Sequence, residues 1–91
     1  MDDSGFRLDW SRPVAPQHLG ERRYHATTET QHILVVVSDV QLGIAEKIAR
    51  DRRVDHPDVS IQSVLEEAID RAVATRPPSS GELRIEDGDF D

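Results

Sequence analysis

The stretch Ile33-Leu34-Val35-Val36-Val37-Ser38-Asp39 decides how the rest of this chain is read. Five consecutive apolar residues, four of them β-branched, favour an extended backbone. The serine that follows is a helix start: Ser38 can accept a backbone N–H, and Gln41, three residues on, can reach back to the Ser38 amide. Taken with the threonines upstream, Thr27 to Val37 predicts a strand that is polar at first and apolar later.

Downstream, the pattern changes from period two to period 3.6. Helix one is expected over about 39 to 53, with Val40, Leu42, Ile44, Ala45, Ile48 and Ala49 on one side and Glu46, Lys47, Arg50 and Arg53 on the other. Asp55-His56-Pro57-Asp58 breaks it, because proline disfavours helical geometry in the residue before it. Ser60 then caps a second helix in which Ile61, Val64, Leu65, Ala68, Ile69, Ala72 and Val73 recur at helical steps, the strongest periodic signal in the chain. Ser63, Glu66, Glu67, Asp70 and Arg71 take its solvent side, and Arg76-Pro77-Pro78-Ser79-Ser80-Gly81 ends it.

Upstream, residues 1–27 read as a flexible N-terminal arm, because their apolar residues lack a sustained period and Pro13 and Pro16 argue against a long helix. The alternative is a short Phe6 to Trp10 segment docked on the core or on a partner. Residues 77–91 read as an acidic C-terminal tail, in which Leu83, Ile85 and Phe90 are spaced among five acids and can serve as a partner-binding segment. Residues 28–76 remain as the core.

Ninety-one residues allow one domain at most, and a chain this short gains from partnering with itself. The absence of cysteine excludes disulfides, thiolate metal sites and thiol nucleophiles. Met1-Asp2-Asp3-Ser4 is acidic where a signal peptide would be basic, and no apolar run approaches the ~20 residues that span a bilayer, so a cytoplasmic protein without a membrane partner is expected. Eighteen acids against eleven bases give a formal net charge of -7, the wrong sign for a broad nucleic-acid footprint.

Catalytic signatures are missing. His18, His25, His32 and His56 are far apart in sequence and none pairs with another at ligand spacing on an expected element, which predicts no metal site. The glycines are scattered, so there is no phosphate loop, and the adjacent Glu66 and Glu67 point about 100° apart on a helix. No enzyme and no cofactor are expected.

The segment Ile33 to Ala74 resembles the ribbon-helix-helix superfamily of small dimeric DNA-binding proteins, repressors and antitoxins among them. Val37-Ser38-Asp39 corresponds to the step that closes the family's strand, Ile48-Ala49 to the end of helix one, and Ser60 with Ala68-Ile69 to the second helix. The connection from Asp51 to Val59 is several residues longer than the family's turn. The resemblance implies an α+β, mostly helical fold: a dimer with one strand and two helices per subunit. Ile33, Val35, Val37, Ile44, Ile48, Val64, Leu65, Ala68 and Ile69 would then form the dimer core.

It also implies a function, that of a small transcriptional regulator or antitoxin whose paired strands enter the major groove of duplex DNA. With Ile33, Val35 and Val37 inward, the groove-facing positions would be Thr28, Thr30, His32, Leu34 and Val36. None of these is an arginine, lysine, asparagine or glutamine, the side chains that make bidentate base contacts. Ser60 and Ile61 would hold a phosphate at the start of the second helix, with Arg22 and Arg23 extending the footprint and Asp55 and Asp58 opposing it. The alternative is a non-enzymatic protein-interaction module that uses the apolar strand face and the acidic tail to bind another protein, such as a toxin.

Overall fold

A computed structural model describes residues 5–9, 20–77 and 81–90. Among these the chain forms strands β1 (Arg7–Leu8), β2 (Glu21–Thr27) and β3 (His32–Ser38), helices α1 (Asp39–Arg52) and α2 (Ile61–Thr75), strand β4 (Glu82–Arg84) and a short 3₁₀ turn, Asp87–Asp89. The sheet order is β1-β2-β3-β4. The first three strands are antiparallel, whereas β4 runs parallel to β3. A parallel neighbour requires a long crossover, and α1 with α2 supplies it.

This architecture overturns the ribbon-helix-helix expectation. β3 pairs with β2 along its whole length and with β4 through Leu34, Val35 and Val36. Its hydrogen-bonding edges are therefore occupied from within the chain, and no equivalent strand of a second copy can add to it. The sheet draws on all three expected segments: β1 and β2 come from the N-terminal 27 residues and β4 from the last fifteen. The residues assigned to a dimer core pack within the chain instead. Ile33, Val35, Val37, Val64, Leu65, Ala68 and Ile69 are buried together, Ile48 packs against them, and Ile44 is half-buried on α1.

The local signals behave as their chemistry requires. The Ser38 hydroxyl accepts from the Gln41 N–H at 3.1 Å while Gln41 Oε1 accepts from the Ser38 N–H at 3.0 Å. Ser60 and Ser63 form the same reciprocal cap at the start of α2. The expected single strand from Thr27 to Val37 is interrupted, because Thr28 Oγ1 accepts from the amides of Thr30 at 3.3 Å and Gln31 at 3.0 Å. That hydroxyl offers the backbone a local partner in place of a ladder bond, and the four residues 28–31 become the β2–β3 turn. Gly20 and Gly81, at φ 82 and 77, turn the chain into β2 and β4 through a left-handed conformation that a side chain would disfavour.

One face of the sheet, carrying Leu8, Tyr24, Ala26, Ile33, Val35, Val37 and Leu83, packs on the helices. α2 contributes Val64, Leu65, Ala68, Ile69 and Ala72, the expected stripe. α1 buries mainly Gln41, Ala45 and Ala49, and Val40, placed on the buried side by the wheel, is 66% exposed. Leu83 and Ile85 are buried and Phe90 packs against the cluster, so the apolar residues assigned to a partner-binding tail are part of the core. Arg76 holds this return at its far end through Glu86 at 2.6 Å and Asp89 at 2.7 Å. Asp89 and, more weakly, Glu86 raise the Arg76 pKa despite some opposing desolvation.

Leu83→Ala should cost about 2–5 kcal/mol, as for other buried leucines, and Val40→Ala no more than about 0.5 kcal/mol, as for an exposed position. Urea denaturation monitored by far-UV circular dichroism measures both. Equal, small losses at the two positions would contradict this packing.

Candidate functional site

The helix layer covers one face of the sheet and leaves the other open, with β1 and β4 as the edge strands. The β1 edge is closed by α2. Gln62, Glu66 and Asp70 stand four residues apart and so form one stripe along the helix. The Phe6 N–H donates to Asp70 Oδ1 at 2.8 Å, the Leu8 N–H donates to Glu66 Oε2 at 2.8 Å, and Gln62 Nε2 donates to the Leu8 carbonyl at 3.1 Å. Side chains of a helix thus stand in for a fifth strand; Asp70 is exposed, as expected, and also bonds the β1 segment, whereas Glu66, expected on the solvent side, is half-buried. Gly5 permits the approach, since a Cβ there would lie 2.7 Å from Asp70 Oδ2.

The second face is built by alternation. Register places Arg7 on β1, Glu21, Arg23, His25 and Thr27 on β2, His32, Leu34, Val36 and Ser38 on β3, and Glu82 and Arg84 on β4. Two ion pairs cross β3 on this side. Arg23 reaches Glu82 at 3.2 Å and Arg84 reaches Glu21 at 2.9 Å. Val36, flanked by Arg23 and Arg84 in the register, is 3% exposed. The Glu21 carboxylate, by hydrogen bonding and by charge, raises the Arg84 pKa and holds that cation. On the helix-facing side, burial pushes the Tyr24 phenol above its ordinary range, against Arg22 and with Asp39.

The other end of the face carries a contact that the spacing of the histidines concealed. His32 Nε2 lies 2.8 Å from His25 Nδ1, with ring centroids 4.7 Å apart and planes tilted by 53°. His25 is opposite Leu34 and His32 opposite Thr27, so the two are diagonal neighbours across the hairpin, a separation that ring side chains span. This corrects the expectation that no two histidines pair. His18 and Trp10 lie outside the described residues.

The residues expected to touch DNA divide among several places. His32, Leu34, Val36 and Arg23 share the open face, with Arg23 largely buried. Thr28 and Thr30 are in the turn. Arg22 falls on the opposite parity of β2 and pairs with Asp39 at 3.2 Å. Ser60 is engaged as a cap, and Ile61 packs against the core. Sequence reasoning missed Glu21, His25, Glu82 and Arg84 as members of one surface. The signal was present in the alternation of β2, but it joins them only once β2 and β4 are known to flank β3.

Among the described residues the hollow between the two helices and the 3₁₀ turn, lined by Ile48, Val64, Ala68 and Phe90 among others, has a volume of about 10 Å³, room for about one water. No described helix is long and apolar enough to cross a membrane. No protein-family model matches the chain, and no curated protein or solved structure matches it significantly.

The double variant Glu66→Ala/Asp70→Ala should release the β1 edge. Hydrogen exchange followed by NMR should show the Phe6 and Leu8 amides exchanging faster while the Val35 amide keeps its protection. Unchanged protection at Phe6 and Leu8 would mean that the helix stripe does not hold the strand.

Proposed function

We propose that this protein is a non-enzymatic interaction module whose open sheet face binds an acidic segment of another protein. The observation that carries this reading is how unequally the charges of that face meet solvent. The Arg84 side chain is 57% exposed whereas its partner Glu21 is 16% exposed, and Arg7 is also exposed. At this pair the cation lies outward and the carboxylate inward, whereas at the other pair Glu82 is 37% exposed beside an Arg23 that is 8% exposed, so the outward cations of the face are Arg7 and Arg84. His32 is exposed and His25 and Leu34 are half-buried between these cations, adding hydrogen-bonding and apolar surface to the electrostatic one.

An extended acidic peptide can reach both Arg7 on β1 and Arg84 on β4, at opposite edges of the sheet, whereas a small molecule in the hollow of about 220 Å³ beside Glu21, Val36, Ser38 and Arg84 would meet only one of these cations. Duplex DNA suits the face less well. Phosphate recognition relies on a broad basic footprint, and here the face is a local exception on a chain of net charge -7 with a pI near 4.9. The acidic remainder repels a polyanion as long as DNA, whereas a short acidic segment can stay within the face. Complementary charge of this kind sets specificity and association rate more than it sets affinity.

Fluorescence anisotropy with a labelled oligoglutamate peptide and with a labelled generic duplex, over a range of salt, distinguishes the two. The peptide should bind, its affinity should fall as salt rises, and Arg7→Glu/Arg84→Glu should abolish binding with the fold intact by circular dichroism. A duplex that binds with a steep salt dependence while the peptide does not would overturn the reading.

A further inference from the structure

The His25–His32 contact has the geometry of a shared proton. Two imidazole nitrogens 2.8 Å apart leave room for one hydrogen between them, so one ring donates and the other accepts. Both nitrogens direct their donor or acceptor axes into the same small space. That space lies on the face of the sheet not covered by helices, with His32 exposed, so an ion from solvent can reach it.

We propose that His25 and His32 form a binding site for one borderline divalent cation of the Zn²⁺, Ni²⁺ or Cu²⁺ class, held by His25 Nδ1 and His32 Nε2. Imidazole is a preferred ligand of these ions, and histidine binds them as the neutral ring. Two zinc–nitrogen bonds of ~2.0–2.1 Å at a tetrahedral angle place the nitrogens about 3.3 Å apart. The observed separation is shorter by about half an ångström, an opening that small rotations of two surface side chains supply. The ion takes the place of the shared hydrogen, and the ring that carried it takes up a proton at its other nitrogen, so that both imidazoles bind as neutral rings.

The backbone fixes the dyad. His25 and His32 belong to the paired strands of one hairpin, with Thr27 opposite His32 and Leu34 opposite His25. The turn between them is closed by the Thr28 N–H to Gln31 carbonyl bond at 2.8 Å and by the Thr28 hydroxyl. Asp9 donates its N–H to the His25 carbonyl at 2.9 Å, which ties β1 to the same row. Among the described residues no cluster of three or more histidine, cysteine, aspartate or glutamate side chains is placed to hold a metal. Two protein ligands therefore leave the remaining positions of the ion to water or to an oxygen donor from outside the chain, the arrangement of an open rather than a closed site. This site does not depend on the acidic-segment reading.

Isothermal titration of the full metal-free chain with Zn²⁺ near neutral pH, followed in parallel by the histidine ring signals in NMR, tests the site. One ion per chain should bind saturably, with shifts at His25 and His32. His25→Gln and His32→Gln should each weaken binding at least about tenfold, a loss no smaller than removal of a group that merely orients a metal ligand. His56→Gln, in the connection between the helices, should leave binding unchanged. Circular dichroism of each variant separates lost ligation from lost folding at the half-buried His25 and the exposed His32. Absence of saturable binding, or binding that survives the double His25→Gln/His32→Gln variant, would overturn the proposal.

Discussion

The rest of the structure depends on β3 being a central strand. Val35 and Val37 are fully buried against the helices, and the backbone of the same strand is bonded on one side to β2 and on the other to β4. The two neighbours make different demands on the chain. The antiparallel partner needs only a four-residue turn, whereas the parallel one requires the chain to leave the sheet, cross its face and return. α1 and α2 are that crossing, and their apolar stripes cover the face over which they travel. The fold is thereby committed to a sheet with one buried and one open side.

The edges follow from the same arrangement. β1 is only two residues long and has little ladder of its own, yet its outward amides are held by carboxylates of α2. An acceptor that carries charge makes a stronger hydrogen bond than a neutral carbonyl, which suits so short a strand. β4 is three residues long and carries Glu82 and Arg84, and shortness and charge both discourage pairing with a further strand. With one edge occupied and the other unsuited to extension, the open face is the surface left for the recognition proposed above.

Which parts of this were legible in the sequence depends on how locally each was encoded. The two serine caps, the apolar stripe of α2 and the inward phase of Ile33, Val35 and Val37 are properties of consecutive residues, and they stand as read. β2 was hidden because Glu21-Arg22-Arg23-Tyr24-His25 carries polar residues in both phases. The outward phase is charged because it forms ion pairs across the sheet, and Arg22 is charged because it reaches Asp39 at the start of α1. β4 was hidden by its acidic setting, although Leu83 and Ile85 already showed a strand's period of two. The resemblance to a strand-helix-helix unit captured the middle of the chain correctly in order and wrongly in partnership. Local pattern describes the faces of an element and is silent on which strand lies beside it.

The open face divides along the strands into a fixed end and an adjustable one. At the fixed end, Arg23, Glu82, Arg84 and Glu21 bind β2 to β4 over the top of Val36, and the Arg23 side chain is only 8% exposed. Arg23 is committed to this network, whereas Arg84, with its side chain 57% exposed, still presents its charge to solvent. At the adjustable end, two imidazoles share one hydrogen-bonding space, and what fills that space sets the local charge. A divalent ion there would add two positive charges at one point. Each added charge strengthens attraction for a carboxylate arriving between Arg7 and Arg84, and by linkage the carboxylate strengthens retention of the ion. A metal at the histidine pair and an acidic segment on the face would therefore favour one another, because both act through the potential of the same few side chains.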